Sequence, residues 1–477
     1  MKRRRLAWAI AAAVLCAAVT VVVVWRSAAA QREVLATDIP ARPNLGALPA
    51  EFLQRLVSAE QRAQSGPDRV LALGELSRLY HANGFCAEAS QCYQGLLRAD
   101  PDNPRWPHLL ATILAGYGRL EDAMPLWRRA VKLAPDYLPA RLRLGDVLLK
   151  TNQNAEAAET YAAVLDREPG NSYALLGLAR IDIDMQRWAA ARDRLELVVE
   201  QTNYGIGYDL LPTVYERLGD ADRAEAIRAK GKASGAFYDM PDPWNDELFD
   251  DCYDTYRLMV AGGTADHSGD VRTAIRILDR ADRLTPNNVP VQFQLGELHL
   301  KSHDTLKARR YFERCVVLKP DFADGWAQLI DLLMKQGDRA ASDRALAAAL
   351  ANCPNSPWLH MERGRRLNTD GRLTEAIKEL QESIRLRPNE GVAYVDLARV
   401  YFQLNRVDDG VAQLRKSLQV EPENPYALST LTFRSIKAGD KAGAREWMSH
   451  VRLQPRISPE MRSVLLKAFQ QQFGEAP

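Results

Sequence analysis

The stretch Ala123-Met124-Pro125-Leu126-Trp127-Arg128-Arg129-Ala130-Val131-Lys132-Leu133-Ala134-Pro135 decides how this chain folds. Ala123, Trp127 and Ala130 stand four and three residues apart, which puts a small, a bulky and another small side chain on one helical face. Pro135 follows, and a proline cannot continue a helix. The same order returns as Ala157, Tyr161 and Val164 before Pro169, as Ala308, Phe312 and Cys315 before Pro320, and as Ala376, Leu380 and Ser383 before Pro388. Prolines recur every 34 residues at Pro101, Pro135 and Pro169, and again at Pro286, Pro320, Pro354, Pro388 and Pro422. Upstream in each period, Leu144-Gly145 with Leu148, Leu295-Gly296 with His299, and Leu397-Ala398 with Tyr401 mark a first helix, whose small residue lets its partner approach closely. Gly84, Gly118, Gly337, Gly371 and Gly439 fall between the two helices, where a turn needs positive φ.

A 34-residue helix-turn-helix with these small and bulky positions resembles the tetratricopeptide repeat. The resemblance implies an all-α fold, an α-α superhelix (solenoid) of about eleven units, right-handed, with its inner surface lined by first helices. Units are expected at 70–103, 104–137, 138–171, 172–205 and about 205–239, then at 255–288, 289–322, 323–356, 357–390, 391–424 and, in degenerate form, 425–458. The first array, with a helix ahead of it bearing Phe52, Leu53 and Leu56, occupies 50–239, and the second 255–458. Residues 459–477 hold a stripe of Met461, Val464, Leu465, Ala468 and Phe469 that suits a capping helix, since end units of a stack need cover.

Ahead of the repeats, residues 1–5 form a basic cluster and Leu6 to Trp25 an uncharged run of twenty residues, long enough at about 1.5 Å per residue to cross a bilayer. The positive-inside bias keeps the cluster in the cytoplasm and places the body on the far side. The run reads as an uncleaved transmembrane signal anchor at the inner membrane. The alternative is a signal peptide cut near residue 30, after Ala28-Ala29-Ala30, with secretion of the rest. Residues 31–49, with Pro40, Pro43 and Pro49, read as an exposed linker.

Net charge is +2, but residues 1–30 carry five basic groups and no acidic one, leaving 58 basic against 61 acidic groups. A slightly acidic body argues against nucleic-acid binding. None of the six cysteines forms a two-residue-gap pair of the metal or redox kind, and Cys86 and Cys92 point to different sides of one helix. Cys16 sits mid-run behind Leu15, unlike a lipidated cysteine. His299 and His303 have the spacing of a helical metal pair, but the register assigns His299 to the core and His303 to a turn. The sequence therefore points to no catalytic residue, metal or cofactor.

In the family that the repeats resemble, the groove holds a protein or peptide partner. That resemblance makes Arg78, His108, Thr112, Asp146, Arg180, Glu297, Asp331, Arg365 and Arg399 the candidate groove residues. The Lys/Asn pair by which some such grooves grip a terminal carboxylate is missing here. Between the arrays, 240–254 is an acidic insert with Trp244, Phe249 and Tyr253 as candidate contacts. Pro241 and Pro243 keep its start extended, and a short helix is expected near Asn245, whose side chain can cap it. The insert either packs over the join between the arrays or docks a partner or cation. The functional expectation is a non-enzymatic scaffold outside the cytoplasm. The alternative is a regulatory or targeting subunit of a separate envelope enzyme or polysaccharide-export complex.

Overall fold

The computed structural model describes residues 38–46, 48–202, 204–231 and 240–477. The basic cluster, the apolar run 6–25, Cys16 and the rest of the chain up to residue 37 lie outside them. Among the described residues no helix is long and apolar enough to cross a membrane. The chain divides into two compact units, one ending at Ser302 and the other starting at His303.

In the first unit the opening helix Ala50–Ser65 precedes five helix pairs: Arg69–Ala82 with Cys86–Ala99, Arg105–Gly116 with Leu120–Leu133, Leu138–Lys150 with Asn154–Leu165, Ser172–Asp184 with Trp188–Gln201, and Gly205–Arg217 with Ala221–Gly231. A short helix Pro243–Asp246 and a 3-10 turn Glu247–Asp251 then lead to Thr255–His267, Val271–Leu284 and Val289–Lys301. The second unit holds Thr305–Leu318, then the pairs Ala323–Lys335 with Arg339–Asn352, Pro357–Thr369 with Leu373–Leu386, Gly391–Gln403 with Val407–Val420 and Pro425–Lys437 with Lys441–Leu453, and a last helix Pro459–Phe473.

The periodic columns are the core. Ala123, Trp127, Ala130, Ala157, Tyr161 and Val164 form one buried cluster with Leu144 and Leu148. The Tyr161 ring lies between two glycines: a Cβ on Gly145 would come within 2.7 Å of it and one on Gly177 within 2.3 Å. Those glycines are therefore set by close approach, since overpacking a core of this density is destabilising. In the second unit Leu380 fills the corresponding place against Gly364, at 2.6 Å from where a Cβ would stand.

The turn inside each pair is in the left-handed conformation, and the residue carrying it repeats at 34. Gly84, Gly118, Asn152 and Gln186 keep that interval, Gly219 comes 33 residues later, and Gly269, His303, Gly337, Gly371, Asn405 and Gly439 resume it. Glycine marks only part of this register, so packing of the flanking helices imposes the same backbone on side chains that disfavour it. The turn prolines have a register of their own. Six residues after several of them, a side chain donates to the proline carbonyl, as Gln292 does to Pro286, Trp326 to Pro320 and Tyr394 to Pro388. A helix-end carbonyl that would otherwise lack a partner is thereby satisfied.

Three expectations need correction. The stretch 31–49 is not uniformly an exposed linker: Asp38 is buried against Gly95 and pairs with Arg98, because an ion pair can anchor a segment that has no apolar pattern. Leu53 is exposed although Phe52 and Leu56 are buried. In the last helix Leu465 and Phe469 are buried while Met461 and Val464 stay exposed, so the stripe is wider than the surface it covers.

Candidate functional site

The acidic insert lies in the groove of the first three helix pairs. Helix Pro243–Asp246 packs on Arg105–Gly116, and turn Glu247–Asp251 on Arg69–Ala82. Its aromatic anchor is Trp244, stacked on Tyr137 with ring centroids 3.5 Å apart and planes 7° off parallel. Arg105 covers the Trp244 ring from 5.7 Å. The Tyr137 hydroxyl donates to Asp242 Oδ1 at 2.6 Å and accepts the Trp244 backbone N–H at 2.9 Å.

Asp242 is the polar centre. His108, fully buried on Arg105–Gly116, contacts Asp242 Oδ2 through Nε2 at 2.8 Å, and Asn245 Nδ2 donates to the same oxygen at 2.6 Å. Burial opposes the carboxylate charge. The hydrogen bonds from His108, Tyr137 and Asn245, with the attraction of His108, outweigh it and hold Asp242 at about 2. His108 Nδ1 is buried with no hydrogen-bond partner. Asp246, one turn on, is pushed up to about 6 by burial and by the charge of Asp242, against the pull of Arg276.

Further along, Asp251 accepts from Arg55 at 2.6 Å and from Arg78 at 2.9 Å. Asn83 reads the backbone around it: its Nδ2 donates to the Asp251 carbonyl at 2.9 Å, and its Oδ1 accepts the Tyr253 N–H at 2.7 Å. Tyr253 packs on Phe52, with Arg280 over its ring at 4.7 Å. Arg280 Nε also donates to the Cys252 carbonyl at 2.6 Å, and Arg257 Nε to the Ala82 carbonyl at 3.2 Å. The insert thus ties the pair Thr255–His267 and Val271–Leu284 to the first repeat.

Several of the sequence-based candidates meet here. Arg78 and His108 are groove residues, and what they hold is the chain's own insert. Thr112 bonds instead to the His108 carbonyl of its own helix. Half-buried Trp244 and buried Tyr253 are contacts of this groove rather than a cover over the join between the arrays, and Phe249 is half-buried within the turn. Asn245 does not cap: the helix starts at Pro243, and the Asn245 amide turns back to Asp242. The acidic side chains are taken up by His108 and arginines, and no cluster of three metal-ligating residues occurs among the described residues. Arg55, Asn83 and Tyr137 were missed because each binds a segment more than a hundred residues away.

Past the insert the groove opens into a cavity of about 290 Å³, lined by Arg143, Asp146, Tyr173, Arg180, Tyr204 and Met240 among others. Asp146 accepts from the Tyr161 hydroxyl at 2.6 Å, and burial raises its pKa in spite of that bond and of nearby Arg143, Lys150 and Arg180. The cavity brings Asp146 and Arg180 together. Glu297 lies half-buried on Val289–Lys301. In the second unit Asp331 pairs with Lys335 along its own helix at 2.6 Å. Arg365 and Arg399 converge on buried Asp396, at 2.5 and 3.2 Å.

Tetratricopeptide-repeat models match residues 114–166, 152–203 and 367–431 in one version and 75–137 and 327–391 in a second. The chain is 23% identical over 383 residues to Cellulose synthase operon protein C of Xanthomonas axonopodis pv. citri (strain 306), covering 75% of this chain and 25% of that protein. It is 23% identical over 278 residues to Protein O-mannosyl-transferase TMTC3 of Homo sapiens, covering 53% and 30%. The chain therefore spans less than a third of the length of either relative. Among solved structures, YrrB, described as a TPR protein with an unusual peptide-binding site, is 17% identical with a TM-score of 0.31 over 37% of this chain and 90% of that one. Tetratricopeptide repeats are therefore present in this chain, in each of its two compact units.

Proposed function

We propose that this protein is a non-enzymatic scaffold that binds a protein or peptide partner outside the cytoplasm, tethered to the inner membrane by residues 6–25. The observation that supports it is the filled groove. A run of ordinary polypeptide, Asp242 to Tyr253, is gripped by a backbone clip at Asn83, charge at Arg55 and Arg78, and a stacked aromatic at Tyr137. These are the means by which a repeat groove recognises a peptide in trans, and beside them the cavity at Asp146 and Arg180 is open.

A photo-crosslinking residue at Arg180 tests the reading in cells: it should capture one protein, and a reporter fused after Pro477 should be active only outside the cytoplasm. Capture of nothing, or a reporter active inside, overturns it. The likeness to a cellulose synthase operon protein favours a second reading, a targeting subunit of a separate polysaccharide-export or other envelope enzyme. Co-purification with one stoichiometric enzyme whose activity changes with the repeats present would select it.

A further inference from the structure

The second unit has a groove that the described residues leave open. It runs between Pro425–Lys437, the first helix of the last pair, and the closing helix Pro459–Phe473, and measures about 580 Å³. Its floor is Ile457 and Leu465, both buried. Its walls are apolar and in contact with water: Tyr426 and Phe433 on one side, Met461 at 45% and Val464 at 53% exposure on the other. Tyr426 and Phe433 are seven residues apart, about 10 Å along the axis, so the groove is about two helical turns long. Apolar side chains gathered in one concave place differ from the scattered exposed ones that any surface carries.

Cations predominate around the groove. Arg456 is the charged residue in its lining, while the Glu460 carboxylate is taken up by Ser458 at its edge. The Arg399 guanidinium lies 4.2 Å over the Tyr426 ring, and Lys437 Nζ 5.1 Å over the Phe433 ring. Asp396, the nearest paired acid, already has two cations, Arg365 and Arg399, so that cluster keeps an excess positive charge. An apolar trough rimmed by cations complements an apolar face flanked by acids. The first unit shows how a groove of these repeats takes such a segment: its acidic, aromatic insert is held by Arg55, Arg78 and Arg105.

We propose that this groove docks an amphipathic helix of a partner protein, about two turns deep, with bulky apolar side chains between Met461 and Phe433 and acidic side chains toward Arg399, Lys437 and Arg456. The proposal rests on the scaffold reading and adds where the partner binds and what it presents.

The probe is a pair of labelled synthetic helical peptides with the same leucine stripe at i, i+3, i+4 and i+7, one with glutamates on the remaining positions and one with lysines. Titrated against the full-length protein and read by fluorescence anisotropy, the glutamate peptide should bind at least tenfold more tightly than the lysine peptide. Val464→Asp and Met461→Asp, at exposed positions that the fold does not need, should each weaken it at least tenfold, and Arg399→Ala severalfold with a shallower salt dependence. Circular dichroism confirms that each variant is folded. Equal binding of the two peptides overturns the proposal, as does binding that ignores Val464→Asp. Self-association of the full-length protein that Val464→Asp abolishes also overturns it, because a second copy would then be the occupant. If the partner captured through Arg180 is still recovered with Val464→Asp at wild-type yield, this site fails while the scaffold reading stands.

Discussion

The two units are built from the same helix pairs, yet among the described residues one groove is filled and the other open, and the difference lies in what becomes of their charges. In the first unit Asp242 is carried out of water together with fully buried His108, while the arginines that hold buried Asp251 keep about a third of their side-chain surface in solvent. In the second, Arg365 and Arg399 keep about two fifths or more of their side-chain surface in solvent while they hold Asp396. A buried pair is costly to break because the surviving partner is stranded, whereas an exposed one is replaced by water. The filled groove therefore stabilises the fold, and the open one keeps its cations available to a ligand.

The sharpest challenge to the shared architecture is a charge in each core. Leu144→Asp in the first unit and Phe312→Asp in the second should each destabilise by about 4 kcal/mol or more, since an unpaired carboxylate would be buried without relief. Unchanged thermal unfolding in either would mean that the 34-residue register is misplaced there. Next, Asp242→Ala should cost about 3 kcal/mol in urea unfolding, with hydrogen exchange rising first in residues 242–253, while Asp396→Ala should cost about 1 kcal/mol or less. Equal costs would erase the contrast between the two grooves.

Acid gives a subtler test. Asp242 is held at about 2 against an ordinary 3.8. Between those values the unfolded chain binds more protons, so the stabilisation it contributes, about 2 kcal/mol, is complete above pH 4 and is lost as pH falls through 2. Asp246 acts in the opposite sense. Raised to about 6, it is protonated in the folded chain where the unfolded chain is not, so stability declines as pH rises from about 4 to 6. Asp246→Asn should therefore flatten the upper limb and leave the lower one, as urea midpoints followed from pH 2 to 7 would show. The smallest effect is expected at the turns. Gln186→Gly should stabilise by about 1 kcal/mol by relieving a left-handed glutamine, whereas Gly118→Gln should do the reverse.

What could be read in the chain and what could not divide along the same line. The columns at Ala123, Trp127 and Ala130 and the turn glycines are local: each belongs to a helix or to its neighbour, so spacing alone places them. Even so, Asn152, Gln186, His303 and Asn405 show that the turn conformation outlasts the residue type that announces it. The insert is non-local. His108 meets Asp242 across 134 positions and Arg55 meets Asp251 across 196, and no periodicity connects such pairs. Its acids and the arginines opposite them were visible as composition, but sign alone does not say which groove takes which segment. Met461 and Val464 failed for another reason. An amphipathic stripe shows that a face is apolar, not that something covers it.

Asn83 gives the strap a peculiar tolerance. Its amide touches a carbonyl and an N–H two residues apart and neither of their side chains. Asn83 thus fixes the count between those points and leaves their spelling to Arg55, Arg78 and Phe52, so its own grip would survive an exchanged residue there but not a lost one.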